Sequence, residues 1–314
     1  MSALTERVGR RVEDILFGPE TGARLLVAHV LLSVLIGTRI VFGPYRQLAH
    51  LPHALFAPVP ILAFLPNMPP LAVIAGLQVI GGVAALAAAL RKRPRLAFAV
   101  AWGCYLVLAG LRGSRGKVLH NDLLLLWTSV PFLFAAVDVS LRDRERRRDR
   151  GWTIRSATAI AAVIYFIAGY HKLRRSGLEW AIGDNVRYVM VWGPSVGHAK
   201  WGALALWVAD HAWAYKLTGA FILCFELSMP LTLLRRRLQP LYALVAVSLH
   251  VATYMFLGLD YWAWACTVLI LFVDWPDLLS RWSRRRDGAP AGAGGGIGCS
   301  PVAASIDPHT EDPR

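Results

Sequence analysis

Apolar residues gather into eight stretches of roughly the length needed to cross a bilayer: about 22–43, 70–90, 96–112, 119–140, 153–171, 214–234, 238–257 and 260–276. Each predicts a membrane-spanning helix, because twenty apolar residues in a row bury no polar face and suit hydrocarbon on every side. The stretch Pro44 to Pro70 is also apolar but rich in proline. Proline removes a backbone donor inside a helix, so a loop with a short re-entrant or interfacial helix is expected there. From Asn185 to His211, Trp192, Trp201, Leu204 and Trp207 alternate with Arg187, His198 and Lys200, and Trp213 follows. That mixture predicts amphipathic helices at headgroup level. The expected fold is all-α, a polytopic membrane helical bundle of about eight transmembrane helices plus interfacial amphipathic helices.

Composition agrees: the 314 residues are 56% hydrophobic, with a mean hydropathy of +0.46, far above a soluble domain. The net charge of +14 would suggest nucleic acid in a soluble protein. Here the basic residues sit in short clusters between apolar spans, where they set topology and meet anionic headgroups, so the bilayer is the expected partner and nucleic acid is not. Arg7 to Arg11, Arg91 to Arg95, Arg142 to Arg150, Arg235 to Arg237 and Arg281 to Arg286 fall on every second loop. The opposite loops carry fewer: Arg112, Arg115 and Lys117, then Lys172, Arg174 and Arg175. This bias predicts both termini in the cytoplasm of a bacterial cytoplasmic membrane protein.

Residues 1–20 are too charged for a cleaved signal and predict an interfacial helix, residues 21–280 the transmembrane domain, and 281–314 a basic, then disordered, tail. Cys104, Cys224, Cys266 and Cys299 are widely spaced, so packing residues are expected rather than disulfides or metal ligands. The Gly-rich run 292–298 follows no strand and makes no dinucleotide fingerprint. No His, Asp or Glu pair stands at the helical spacing of a metal site within a span, and no metal is expected.

Ionisable groups inside apolar spans are costly, which makes each a candidate for function. Lys172 ends the fifth span. It fits a snorkelling anchor, its stem on apolar surface and its ammonium among headgroups. It also fits a base, because Gly169 lies three residues back on the same helical face, His171 stands next door, and a lysine shielded from water can act as a proton acceptor. His120 opens the fourth span, with Asn121 or Asp122 placed to cap it. From antiparallel spans, His120 and Lys172 are expected at one depth, flanking one cavity. Glu226 lies mid-span and needs protonation or a cation; Arg39 is the partner expected. His250 and Tyr254, one turn apart in the seventh span, share a face.

The run Tyr165-Phe166-Ile167-Ala168-Gly169-Tyr170-His171-Lys172-Leu173, followed by Trp180 and Gly183, resembles the signature of the vitamin K-dependent gamma-glutamyl carboxylase membrane domain, shared with bacterial HTTM (horizontally transferred transmembrane) proteins. Leu119-His120-Asn121-Asp122-Leu123-Leu124 is similar too, as is the C-terminal group with Glu226, Pro230, His250, Gly258 and Trp275-Pro276. The resemblance covers about residues 20–280. It implies that Lys172 is the base that deprotonates a reduced quinone of the vitamin K or menaquinone type, and that His120 stabilises the chemistry. In the family, oxygenation of that hydroquinone yields an alkoxide that removes a glutamate proton so that carbon dioxide can add. Two departures shape the expectation. His171 stands where the eukaryotic enzyme has a second lysine, and only a short tail follows Arg286 where that enzyme has a large soluble region holding its protein substrate. The expected function is therefore oxygenation of a reduced quinone, or modification of a peptide, with His171, Asn121, Asp122, Trp180, Glu226, Arg39, His250 and Tyr254 lining the cavity or supporting the site. A non-catalytic scaffold, or a lipid- or peptide-binding component of an export or maturation system, is the competing reading.

Overall fold

The computed structural model describes residues 3–115, 120–135 and 137–286. The tail expected to be disordered, with Cys299, lies outside the described residues, as do Lys117 and Leu119. The described chain is all-α apart from one two-residue strand pair. Its helices are α1 (Ala3–Phe17), α2 (Gly22–Phe42), α3 (Leu71–Ala89), α4 (Pro94–Gly113), α5 (Leu123–Ser129), α6 (Arg148–Ser176) and α7 (Glu179–Ile182). Then come α8 (Asn185–Ser195), α9 (Gly202–Asp210), α10 (Ala212–Ser228), α11 (Leu231–Leu234), α12 (Gln239–Leu257), α13 (Trp262–Phe272) and α14 (Trp275–Arg286). The chain falls into two units, Met1–Pro276 and Asp277–Arg314; in the second, the described helical turns carry an Arg281–Asp277 ion pair of 2.7 Å.

Five stretches, Gly22–His50, Leu71–Ala89, Pro94–Gly113, Arg148–Ser176 and Arg236–Leu257, are long and apolar enough to cross a membrane. The other three expected spans are shorter. The fourth is α5, only 7 residues, because Pro131 follows and the chain tightens into a 3-10 turn through Phe134. At 1.5 Å per residue, α5 covers about 10 Å of the ~30 Å hydrocarbon core. The sixth breaks at Pro230 into α10 and α11, and the eighth ends at Phe272, giving α13 11 residues. Between Pro44 and Pro70 the chain makes three 3-10 turns and no span, as its prolines require.

The core is built around α2, whose Leu25, Leu32, Ile36 and Ile40 are fully buried beside Phe98, Tyr105 and Leu108 of α4. A smaller cluster joins Val186 and Met190 of α8 to Ala205 and Ala209 of α9, with Tyr215 of α10. The basic loops are tied to one another. β1 (Glu20–Thr21) pairs antiparallel with β2 (Arg146–Arg147), setting Glu20 opposite Arg147. Glu20, 1% exposed, receives Arg24 at 3.1 Å on one oxygen, and Arg155 at 3.0 Å together with Arg236 on the other. Arg91 donates to the carbonyls of Val137 and Val139, and Arg95 to that of Ala135. Backbone carbonyls left over by non-helical chain thus find donors in the arginines of the neighbouring loop.

Candidate functional site

Lys172 stands near the end of α6, one turn beyond Gly169. A Cβ added at Gly169 would come within 2.9 Å of the Glu226 Cβ and 3.2 Å of the Leu227 backbone nitrogen. The absence of a side chain is what lets α10 lie against α6 at this depth. The approach sets the Lys172 ammonium on Glu226 Oε1 as a direct ion pair. On its other side the ammonium lies 4.7 Å from the centroid of the Trp180 ring, a cation–π distance. Glu226 is 7% exposed, and its Oε2 is buried with no partner. Trp180, on α7, also lines an apolar cavity of about 250 Å³ with Met190, Ile222 and Phe256. His171 is exposed, its ring beside Tyr170.

The expected Arg39–Glu226 pair is not formed. Arg39 donates through Nε and Nη2 to Asp122 Oδ1, at 3.0 and 2.7 Å, and through Nη1 to Asp260 Oδ2 at 2.9 Å. The reason is prior engagement: Arg39, in the last turn of α2, is taken up by Asp122 and Asp260, whereas Glu226 is held against α6 at Gly169 and beside Lys172. Tyr105 donates to the same Asp122 Oδ1 at 2.6 Å, Arg112 reaches Oδ2 at 3.4 Å, and the Arg39 guanidinium lies 5.3 Å from the Trp262 ring centroid. Asp122 occupies the N-cap position of α5 but makes no capping bond, since its carboxylate is taken by this cluster. Asn121 donates to the backbone carbonyl of Asp260 at 2.5 Å. Asp260 is brought there by Gly258, which ends α12 in the left-handed region at φ +67°, where other residues are strained.

His120 meets different partners from Lys172. Its Nε2 shares a 2.7 Å hydrogen bond with the Tyr261 hydroxyl, and its carbonyl accepts from the Trp264 indole at 3.2 Å. His250 Nε2 bonds the Tyr165 hydroxyl at 2.6 Å, and its ring stacks on Tyr261 at 5.7 Å. Tyr165 in turn packs edge-on against Trp264 and against Phe225, the neighbour of Glu226. What lies between the histidine and the lysine is this aromatic cluster, of which sequence reasoning weighed only His250. His250 and Tyr254 do share a face: both line a cavity of about 580 Å³ with Asp260, Trp262 and Cys266. Arg112, Asp260, Tyr105, Tyr261 and Trp264 were missed; Arg112 and Asp260 carried the same signal as Arg39, a charge at the end of an apolar run. Among the described residues, no group of three or more His, Cys, Asp or Glu could hold a metal ion, and Cys104, Cys224 and Cys266 are free thiols.

Compared with known proteins, the chain matches no family model, no curated protein and no solved structure.

Proposed function

We propose that this chain is a multi-pass integral membrane protein, its termini cytoplasmic, in which the Lys172–Glu226 pair accepts a proton from a reduced quinone of the vitamin K or menaquinone type. Five apolar helices support the membrane reading. So does the exterior of α3: Leu71–Ala89 has a mean hydropathy of 2.2, yet only 28% of it is buried, with Val79, Ile80, Val83 and Leu86 all exposed. Apolar surface of that extent needs an apolar surround. The ties among Glu20, the Arg142 to Arg150 run and Arg236 support one basic, cytoplasmic end.

The observation that carries the chemistry is the unpartnered Glu226 Oε2 beside Lys172. A buried carboxylate oxygen without a donor is costly, and a hydroxyl arriving at the pair would satisfy it. The proton passes from the hydroxyl into the pair, and the Lys172 ammonium offsets the charge left behind. Trp180 covers one side of the ammonium and offers its other face to a flat ring. The Trp180 cavity is smaller than the ~300 Å³ lower bound of drug-sized sites, so it takes a head ring while an isoprenoid tail extends into lipid. The bound quinol supplies the reactivity toward dioxygen that the resemblance to HTTM and vitamin K-dependent carboxylase proteins implies. His120, set in the Tyr261–Trp264 cluster, supports that site from one helix layer away.

The test is turnover. Protein purified in detergent, given reduced menaquinone or vitamin K with dioxygen and bicarbonate, forms the quinone epoxide, and Lys172→Ala abolishes it. No turnover across a panel of quinols would overturn the reading. The non-catalytic alternative draws on the close Gly169–Glu226 packing, which also suits an interhelical brace; it predicts that Lys172→Ala lowers stability without altering ligand binding.

A further inference from the structure

A second cavity, walled by α4, α5 and the chain around Pro60, plays no part in the proton-accepting pair. Its volume of about 450 Å³ falls within the ~300–1,000 Å³ range of small-molecule sites. Leu106, Leu123, Leu126 and Trp127 give it an apolar surface, and Gly110 lies in its wall, its bare backbone packed by the Leu62 side chain. Asp122 is its one charged lining residue, and Asp122 is 4% exposed.

The two oxygens of Asp122 are unequally used. Oδ1 accepts from Arg39 Nε, Arg39 Nη2 and the Tyr105 hydroxyl, whereas Oδ2 accepts only from Arg112 at a long 3.4 Å. About two donors per carboxylate oxygen is usual; Oδ1 exceeds that with three, while Oδ2 has one long contact and keeps acceptor capacity. The Arg112 Nε beside it is buried and unpartnered, a second sign of an unfilled polar corner. An apolar chamber ending in an under-used carboxylate favours an apolar molecule that ends in a hydrogen-bond donor. A fatty acid would set its carboxylate against Asp122, and a plain hydrocarbon would leave Oδ2 as it is.

We infer that this cavity binds a lipid-soluble alcohol, its hydroxyl donating to Asp122 Oδ2 and its chain lying along Leu106 and Leu126. The cavity shares no lining residue with the Trp180 cavity, so the two sites stand or fall separately.

The experiment is photolabelling of the purified full chain in detergent with a long-chain alcohol carrying a mid-chain diazirine, beside its methyl ether. Labelled peptides fall in α4, α5 and residues 59–61, with the alcohol labelling on the order of tenfold more than the ether, because a hydrogen bond to a charged acceptor is lost in the ether. Ala109→Phe, which fills the chamber, removes the labelling. On the unaltered protein, unlabelled hexadecanol competes and hexadecane does not. Equal labelling by alcohol and ether, equal competition by hexadecane, or labelling that survives Ala109→Phe in a folded protein would each overturn the proposal.

Discussion

Two buried glutamates in this protein have opposite surroundings. Glu20 has both oxygens engaged by three arginines drawn from α2, α6 and the turn before α12, and although Arg155 and Arg236 border a cavity of about 750 Å³, neither carboxylate oxygen is left without a donor. Glu226 has one lysine, one free oxygen, and an indole that borders a cavity. A saturated buried charge braces helices; a half-satisfied one retains bonding capacity for something that arrives. Ion pairing within an apolar segment therefore does not separate brace from site. The count of unused acceptors does.

The sharpest way to break the comparison is Glu20→Ala. It leaves the buried Arg24 without its carboxylate, and the expected loss is about 3–5 kcal/mol, measured as unfolding in detergent, with little change in quinol affinity of the protein that remains folded. Gly169→Ala comes next: the added carbon must push α10 from α6, costing about 1–3 kcal/mol and, in contrast to Glu20→Ala, losing turnover in folded protein as Glu226 moves from Lys172. Glu226→Gln keeps the side chain's shape, so its effect on melting is below that of Gly169→Ala, yet epoxide formation falls at least tenfold; unchanged turnover would reduce Glu226 to a brace like Glu20. At the low end, Arg148→Ala removes an exposed ion pair with Asp14, both side chains more than half accessible. It shifts stability by less than about 0.5 kcal/mol, and a larger shift would mean that the basic loops carry more than Glu20 does.

Much of the helical plan was legible because it rests on composition over long windows. α2, α3, α4, α6 and α12 lie where unbroken apolar runs put them, and the 3-10 turns between Pro44 and Pro70 follow from proline's missing donor. Two of the three shorter helices have one local reason: Pro131 and Pro230 sit inside runs whose hydropathy continues past them, and a window average is blind to one lost hydrogen bond; in the eighth stretch the helix ends at Phe272. At the site, Lys172, Gly169, Trp180 and Glu226 were each visible, but the pairing was not. A charge at the end of a run announces that it needs a partner without saying which. Arg39 and Lys172 both suited Glu226, and only the bare backbone at Gly169 decides for Lys172. Asp260 and Tyr261 were obscured because they enter through the turn at Gly258, whose direction no periodicity encodes.

Glu20 also bears on how the chain is made. Synthesis delivers Glu20 and Arg24 first, Arg155 after four of the long helices have begun, and Arg236 last of the three arginines. Until Arg236 emerges and reaches the same end of the molecule, that oxygen is held by Arg155 alone, and the N-terminal segment is anchored by two arginines rather than three. A chain truncated before α12, or one in which that helix inserts in the reverse sense, leaves this junction one arginine short. The late arginine thus acts as a latch that closes only on a complete and correctly threaded polypeptide.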